Sequence, residues 1–201
     1  MLEFKDKTVL ITGGGSGIGE AMAYQYAKKG TNVILTGRRM ETLEKVQKKC
    51  EEIGVKAWCK TVDVEKPESI DELVSWIRTE GHLIDFLFLN AGISQRALTL
   101  ETDISVDRRL MEVNYFGTLH AALPCLGRMR EQGRGLLIVM GSIAGRVSIP
   151  MQSQYSASKY ALEAFTDAVR MEMRPYGVRA CIIEPGDMKT GFTAARVMQP
   201  S

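Results

Sequence analysis

Short apolar runs alternate with longer amphipathic stretches along this chain, and this alternation restricts the possible folds more than any other feature. The apolar runs are rich in β-branched residues and predict six strands, at residues 8–12, 32–36, 56–62, 84–89, 136–140 and 178–183. The stretches between them have mostly 3.6-residue periodicity and predict helices over residues 17–29, 39–53, 68–80, 103–131 and 154–175. Several strands are apolar at consecutive positions, as strands covered on both faces are. The pattern predicts an α/β fold, a doubly wound parallel sheet in three layers.

The composition is that of one globular domain. The chain has 201 residues, of which 45% are hydrophobic and 25% charged, so it can bury a substantial core. It contains no linker, repeat or low-complexity tract, and residues 1–201 are predicted to form a single domain. The formal net charge is +2 with both signs interspersed, which gives no electrostatic reason to expect nucleic acid or a membrane surface as a partner.

The N-terminus and the cysteines bear on cellular location. Charged residues fall within positions 3–7, where a secretory signal needs an apolar stretch, and no apolar run is long enough to cross a bilayer. Cys50, Cys59, Cys125 and Cys181 lie far apart, with no C-x-x-C pair to indicate a zinc or redox centre. We therefore expect a cytoplasmic protein without a metal site, whose thiols are reduced and mostly in the core.

A glycine-rich loop follows the first predicted strand. Residues 12–19 read T-G-G-G-S-G-I-G and lead directly into a predicted helix. Glycines there allow positive φ and bring backbone N–H groups and a helix N-terminus up to a pyrophosphate. A plain turn would also use glycine, but the order strand, glycine loop, helix favours a Rossmann-type dinucleotide site. The predicted cofactor-binding residues of this loop are Gly13, Gly15, Ser16, Gly17, Ile18 and Gly19.

The end of the second predicted strand bears on which dinucleotide binds. An NAD site places an acidic residue there, whereas this chain has Arg38 and Arg39, which suit the 2′-phosphate of NADP. The alternative is that both arginines are solvated residues at the start of a helix. The missing acid and the two cations together favour NADP(H) over NAD(H). Asp63, after the third predicted strand, either accepts a hydrogen bond from adenine or caps the next helix.

Three residues suggest catalysis. Ser142 follows the fifth predicted strand, and Tyr155 and Lys159 are four residues apart on a predicted helix, so that phenol and ammonium share one face. A nearby cation favours the phenolate and lowers a tyrosine pKa, which suits the phenol to proton transfer near neutral pH. Alone, such a pair is an ordinary aromatic-lysine contact and the serine a turn residue. Downstream of a dinucleotide loop, the set indicates a catalytic centre.

These motifs, in this order and over essentially the whole chain, resemble those of the short-chain dehydrogenase/reductase family. The resemblance includes the glycine loop, the N-A-G segment Asn90-Ala91-Gly92, the catalytic serine, Y-x-x-x-K and P-G. It implies that Tyr155 is the acid/base, that Ser142 orients the substrate oxygen and that Lys159 holds the nicotinamide ribose while tuning Tyr155. Asn114 would anchor a proton relay through water. The implied cofactor-binding set also contains Val64, Asn90, Ala91, Gly92, Tyr155, Lys159, Pro185, Gly186, Met188 and Thr190.

The implied reaction is hydride transfer between nicotinamide C4 and a carbonyl or secondary alcohol, with proton transfer through Tyr155. The expected protein is an NADP(H)-preferring alcohol dehydrogenase or carbonyl reductase. One alternative is a cofactor-binding sensor or interaction protein without turnover, for which the serine, tyrosine and lysine have no chemical use. A methyltransferase would leave the same three residues unexplained. The resemblance also implies a homodimer or homotetramer built on the helices that contain Asn114 and Tyr155.

The chain departs from the family pattern in two places. Leu89 stands where many relatives have a second asparagine, and the chain ends fifteen residues after Gly186, before the usual lid helices and last strand. We expect a truncated substrate side and a chain that binds cofactor but turns over poorly. The remaining pocket, at residues 93–98, 143–152 and 188–194, mixes apolar residues with Arg96 and Arg146. Each arginine either meets an anionic substrate or is a solvated loop residue.

Overall fold

The computed structural model describes residues 3–188 and 197–198, and its centre is a six-stranded parallel sheet. The strands are β1 Thr8–Thr12, β2 Asn32–Gly37, β3 Ala57–Thr61, β4 Phe86–Leu89, β5 Gln95–Arg96, β6 Gly135–Met140, β7 Val178–Ile183 and β8 Val197–Met198. The helices are α1 Gly17–Lys28, α2 Met40–Ile53, α3 Pro67–Thr79, α4 Ile104–Met111, α5 Gly117–Gln132 and α6 Ser153–Met173. The large sheet has the order β3-β2-β1-β4-β6-β7, and β5 pairs with β8 in a separate two-stranded sheet. The predicted doubly wound α/β fold is confirmed.

The apolar strands bury side chains on both faces of the sheet. Val9 and Ile11 of β1 point into a core with α1 and α2, whereas Leu10 points into a second core with α3, α5 and α6. Because successive side chains of a strand alternate between faces, a strand covered on both faces must be apolar at consecutive positions. The consecutive apolar residues of the sequence are thus explained by a three-layer structure.

The strand order places the functional edge of the sheet. Strand β1 pairs with β2 on one side and with β4 on the other, so the chain winds outward in both directions from the boundary between β1 and β4. Loops leaving the carboxyl ends of these two strands turn to opposite faces and open a crevice between them. This crevice is where a doubly wound sheet binds its ligand.

The long helix predicted over residues 103–131 is wrong in one respect. The structure has α4, a short π-helical turn at Glu112–Phe116, and then α5. Asn114 in that turn is fully buried and bonded to the Ile93 backbone, and a Cβ at Gly117 would lie 2.7 Å from the Val64 carbonyl oxygen. Long-range contacts of this kind distort the helix, and periodicity carries no sign of them.

The cysteines and the helices bear on the predictions about thiols, metal sites and membrane-spanning segments. Cys50 and Cys125 are buried, Cys59 and Cys181 are half-buried, and all four are free. Across residues 3–188 no three His, Cys, Asp or Glu side chains gather as a metal site would require. Within that same range, every helix is too short or too polar to span a bilayer.

Candidate active site

A cavity of about 500 Å³ lies at the carboxyl ends of the sheet strands. Its walls include residues that follow β1, β2, β3, β4, β6 and β7, so every strand of the large sheet contributes to it. The predicted residues that line it are Gly13, Gly15, Ser16, Gly17, Ile18, Arg38, Arg39, Asp63, Val64, Asn90, Ala91, Gly92, Ser142, Tyr155, Lys159, Pro185, Gly186 and Met188. The structure therefore brings the predicted dinucleotide and catalytic residues into one cavity.

The glycine loop has the backbone that the sequence predicts. Gly13 and Gly17 have φ values of 66° and 57°, in the left-handed region that favours glycine. Ser16 precedes α1 in an extended conformation, and its side chain makes no capping hydrogen bond to the helix. The first N–H groups of α1 are thus left for a ligand, and the loop fits a pyrophosphate.

Gly19 departs from its prediction as a cofactor-binding residue, because it does not line the cavity. It is buried in the first turn of α1, where a Cβ would lie 2.2 Å from the Gly13 carbonyl oxygen. A glycine is required here so that the helix can pack against its own preceding loop. Its effect on a ligand is indirect, through the shape of that loop.

The N-A-G segment is bonded to the glycine loop. The Asn90 side-chain amide donates to the carbonyl oxygens of Thr12 and Gly13, at 3.1 and 3.2 Å. The Thr12 hydroxyl accepts from the backbone N–H groups of Asn90 and Ala91, at 2.9 and 3.1 Å. Leu89, just before, lies in the hydrophobic core. These four bonds hold the two cavity walls at a fixed separation although the second asparagine of many relatives is absent.

Arg38 and Arg39 line the cavity directly after β2. Both are exposed, and neither forms an ion pair with an acidic side chain of residues 3–188. Arg39 immediately precedes α2, as the alternative interpretation of a helix-opening residue also predicts. The two guanidinium groups are available to a phosphate group at this position.

Asp63, shortly after β3, also lines the cavity. Its carboxylate accepts the Glu65 N–H at 3.3 Å. The next helix, α3, begins at Pro67 with Lys66 as its capping position. The alternative role of Asp63 as a helix cap is therefore wrong, and an interaction with adenine stays a prediction.

Ser142, Tyr155 and Lys159 meet at the other end of the cavity. Ser142 follows β6, and its hydroxyl oxygen accepts the Ala144 N–H at 3.2 Å. Tyr155 lies in the first turn of α6, and the Lys159 Nζ is 5.7 Å from the centre of its ring. The Lys159 Nζ also donates to the Met140 carbonyl oxygen at 2.8 Å, which links α6 to the end of β6.

Burial governs the charge of Lys159. Its side chain is enclosed by the protein, and this desolvation lowers the pKa of the ammonium from 10.5 to about 8. The group is still mostly protonated at neutral pH. The ammonium lies next to the Tyr155 ring, and Ser142 lines the same cavity. A phenol, an ammonium and a hydroxyl together are groups that can serve proton transfer.

Asn114 lies behind the cavity wall and connects two segments that line the cavity. Its Oδ1 accepts the Ile93 N–H at 2.8 Å, and its Nδ2 donates to the Ile93 carbonyl oxygen and to Ser158 Oγ, both at 3.0 Å. The side chain does not line the cavity, and it joins the segment after Gly92 to α6. The proton relay implied for Asn114 stays a prediction.

The carboxyl-terminal part of the predicted site is described only in part. Pro185, Gly186 and Met188 line the cavity, and the Pro185 carbonyl oxygen accepts the Ile143 N–H at 3.1 Å. Thr190, the predicted contact of the nicotinamide carboxamide, lies outside the described residues.

Arg146 is an exposed loop residue, as one of its two alternatives predicts, but it is also bound in ion pairs that neither alternative includes. Its guanidinium does not line the cavity, and it pairs with Glu184, Nε to Oε1 at 2.6 Å, and with Glu163, Nη2 to Oε2 at 3.1 Å. Neither carboxylate is among the site residues predicted from the sequence. A sequence signal existed for Glu163, which continues the four-residue spacing of Tyr155 and Lys159. Arg96, in β5, is exposed and does not line the cavity either.

Comparison with known proteins gives the same result as the site. The family model of the short-chain dehydrogenases matches residues 7–200. A relative from Xenopus tropicalis, dehydrogenase/reductase SDR family member 7B, is 34% identical over 195 residues, which are 94% of this chain and 63% of the relative. The chain spans about three fifths of the length of the curated relatives that it matches.

Solved structures have the same fold. NAD+-bound xylitol dehydrogenase superposes with a TM-score of 0.90 at 33% identity, covering 96% of this chain and 74% of that one. An alcohol dehydrogenase from the archaeon Thermococcus sibiricus, complexed with 5-hydroxy-NADP, gives a TM-score of 0.90 at 28% identity, covering 98% and 83%. With the glycine loop, the N-A-G segment and the serine, tyrosine and lysine in one cavity, the chain belongs to the short-chain dehydrogenase/reductase family.

Proposed function

We propose that this protein is an NADP(H)-preferring oxidoreductase that interconverts a carbonyl compound and a secondary alcohol. The observation that carries the proposal is the single cavity lined at one end by the glycine loop and Arg38, and at the other by Ser142, Tyr155 and Lys159. A protein that only sensed the cofactor would need the first end and not the second.

The residues present fit a nicotinamide dinucleotide. The uncapped start of α1 and the positive-φ glycines would hold the pyrophosphate, and Asp63 and the two arginines would hold the adenosine half. Lys159 would hold the nicotinamide ribose, with Pro185 and Gly186 beside the ring. When bound, the cofactor supplies or accepts the hydride.

The side chains would perform the proton chemistry. Ser142 would donate a hydrogen bond to the substrate oxygen, fixing its position next to the Tyr155 hydroxyl. Tyr155 would deliver a proton to that oxygen in reduction and take it back in oxidation. Lys159 would stabilise the phenolate through its charge, since its Nζ lies near the Tyr155 ring.

The preference for NADP(H) rests on charge. The two arginines after β2 carry no acidic partner among residues 3–188, and that position has no carboxylate to accept ribose hydroxyls. The similar xylitol dehydrogenase structure is NAD+-bound and the Thermococcus sibiricus alcohol dehydrogenase is complexed with 5-hydroxy-NADP, so both kinds of cofactor occur on this fold.

The experiment that tests the proposal is calorimetric titration of the protein with NADPH and, separately, with NADH, followed by a panel of ketones and aldehydes. We expect NADPH to bind more tightly and at least one carbonyl compound to be reduced. Tight binding of NADPH without turnover of any panel member, in a chain extended to the length of its relatives, would favour the sensor. Failure of both cofactors to bind folded protein would refute the proposal.

A further inference from the structure

An arginine clamped between two carboxylates lies just outside the cavity. The Arg146 side chain is 57% exposed, while Glu163, one of its partners, is 9% exposed. Burial, and next the charge of Glu184, raise the pKa of Glu163, whereas the hydrogen bond from Arg146 lowers the pKa of Glu184. One guanidinium faces both acids, and a hydrogen bond between the two carboxyl groups acts on their pKa values as well.

Each member of this ion cluster belongs to a different part of the candidate site. Arg146 follows the turn that Ser142 begins. Glu163 is on α6, four residues after Lys159 and eight after Tyr155. Glu184 directly precedes Pro185. The ion cluster thus joins the serine loop, the tyrosine-lysine helix and the loop expected beside the nicotinamide.

Backbone contacts bring the same three parts together. Gly141 N–H donates to the Ile183 carbonyl oxygen at 2.8 Å and Ile143 N–H to that of Pro185 at 3.1 Å, on either side of Ser142. The Tyr160 hydroxyl of α6 donates to the Arg146 carbonyl oxygen. A Cβ at Gly145 would lie 3.1 Å from the Lys159 carbonyl oxygen, so the loop rests directly on α6. These contacts restrain the loop that contains Ser142 and Arg146. We therefore expect a displacement of Arg146 to move Ser142 as well.

The chemistry of the cluster requires arginine. A planar guanidinium offers several N–H groups in fixed directions and can serve two carboxylates at once, whereas a lysine ammonium is a single point charge. Without a cation, Glu163 is a buried carboxylate beside a second carboxylate. Such a pair lowers its free energy by taking up a proton or by moving apart.

We propose that Arg146, Glu163 and Glu184 are positioning residues that hold the Ser142 loop against α6 and so set the place of the Ser142 hydroxyl relative to Tyr155. None of the three carries a proton or a hydride in the reaction. The inference rests on the proposed function for its consequence in turnover, and on the contacts alone for its consequence in loop mobility.

The first test compares Arg146→Ala with Arg146→Lys. In steady-state kinetics with NADPH and a carbonyl substrate, we expect Arg146→Ala to lower kcat roughly 10- to 100-fold, because small displacements of reacting groups have effects of that size. The Kd for NADPH should change less than about threefold, because the pyrophosphate and adenosine contacts lie at the other end of the cavity. Arg146→Lys should recover part of kcat.

A matched control is Arg134→Ala. Arg134 is 54% exposed and pairs with the half-buried Asp85 at 3.2 Å, as Arg146 pairs with its acids. It lies at the amino-terminal ends of the strands, however, away from the cavity at their carboxyl ends. We expect both kcat and the Kd for NADPH to stay within about twofold of the parent.

The second test is hydrogen exchange, which needs neither cofactor nor turnover. Amides of residues 141–149 should exchange at least about tenfold faster in Arg146→Ala than in the parent, and amides of residues 12–19 should not change. Should Arg146→Ala fail to fold, Glu184→Gln provides the test, because it keeps the side-chain size and leaves the pair between Arg146 and Glu163.

Several results would overturn the inference. They are unchanged exchange at residues 141–149 in the folded variants, a kcat within twofold of the parent, or an equal loss of NADPH binding and kcat. A parent protein that neither binds NADPH nor turns over refutes the proposed function instead. In that case faster exchange in the variant still supports the ion cluster as the clamp of this loop, and unchanged exchange overturns it.

Discussion

Lys159 is a charged residue in a buried place, where lysine is rarely found unless a partner holds it. Its Nζ donates to the Met140 backbone carbonyl oxygen, and it forms no ion pair with a carboxylate of residues 3–188. Burial therefore acts on the ammonium without an opposing charge, and its pKa falls to about 8. This unfavourable burial occurs where the ammonium lies next to the Tyr155 phenol, at the proposed catalytic site.

The cost predicts how stability depends on pH. The pKa of Lys159 is about 8 in the folded protein and near 10.5 in the unfolded chain. Between those values the unfolded chain binds more protons, so the free energy of unfolding should rise with pH. The rise should be about 3 kcal/mol for a shift of this size.

Denaturant unfolding at pH 7.5 and pH 10.5 checks this, with Lys159→Met as the reference. Other groups titrate in the same range, so the quantity to compare is the difference between parent and variant. We expect the parent to gain stability relative to Lys159→Met as pH rises. A difference that is constant with pH would contradict the burial of a protonated lysine.

Arg38 carries the predicted choice of cofactor. We expect Arg38→Ala to weaken NADPH binding roughly 10- to 100-fold, the range for losing hydrogen bonds to a charged group, and to change NADH binding less than about threefold. Calorimetry with both cofactors measures the ratio. Arg96→Ala is the control, since this exposed arginine does not line the cavity. Equal losses for NADPH and NADH would show that Arg38 does not recognise the 2′-phosphate.

At the scale of elements, the first loop and α1 depend on one glycine that touches no predicted ligand. A Cβ at Gly19 would meet the Gly13 carbonyl oxygen, which is backbone and cannot swing away. We expect Gly19→Ala to lower the free energy of unfolding by about 1–3 kcal/mol. It should also weaken NADPH binding roughly tenfold or more, because the loop N–H groups would shift.

Gly127→Ala is the matched control for this prediction. Gly127 is an exposed residue inside α5, and a Cβ there would meet no described atom within 4 Å. The change should stabilise the protein by about 0.5–1 kcal/mol, the helical advantage of alanine over glycine. Thermal unfolding of both variants gives the comparison, and a Gly19→Ala protein as stable and as competent in binding as the parent would refute the account of this loop.

Apolar runs and helical periodicity in the sequence predicted most strands and helices, because each of these elements depends mainly on its own residues. The six predicted strands all occur, and their consecutive apolar residues follow from burial on both faces. The π-helical turn between α4 and α5 contains Asn114, whose side chain bonds to the distant Ile93, and local periodicity could not reveal this contact. The pairing of β5 with β8 was missed as well, since strands of two residues leave no pattern.

The candidate site shows the same division. Two local patterns were sufficient to predict the two ends of the cavity. The spacing of Tyr155 and Lys159 on one helix predicted the proposed catalytic end, and the glycine loop between a strand and a helix predicted the proposed dinucleotide end. The spacing places Glu163 on the same helix face as Lys159, but its pairing with Arg146 was not predictable. Glu163 and Glu184 come from two elements whose approach depends on the whole sheet. Charge pairs across elements are a property of the fold and not of any short segment.

At the scale of the molecule, exposed apolar residues on two helices bear on association. Leu123 of α5 is 56% exposed and Met171 of α6 is 71% exposed. We propose a homo-oligomer that buries these helices against a second copy. Leu123→Asp and Met171→Asp should each shift the protein towards the monomer in light scattering, because a charge would be buried at the contact.

Leu100→Asp is the control for this prediction, since Leu100 is fully exposed and belongs to neither helix. It should leave the mass in solution unchanged. A parent protein that is monomeric at all concentrations would contradict the proposed association and would leave the site, which lies within one chain, unaffected.

The proposed function requires the fold to bring a hydride carrier and a proton carrier to the same substrate, and isotope transfer tests that requirement directly. The measurement uses NADPH deuterated at C4, on either face in separate runs, with a carbonyl substrate, and mass spectrometry of the alcohol product. We predict one deuterium on the product carbon with one of the two labels. Tyr155→Phe should bind NADPH within about threefold of the parent and form product at least about a hundredfold more slowly. Unlabelled product from both labels, or an undiminished rate in Tyr155→Phe, would contradict the account.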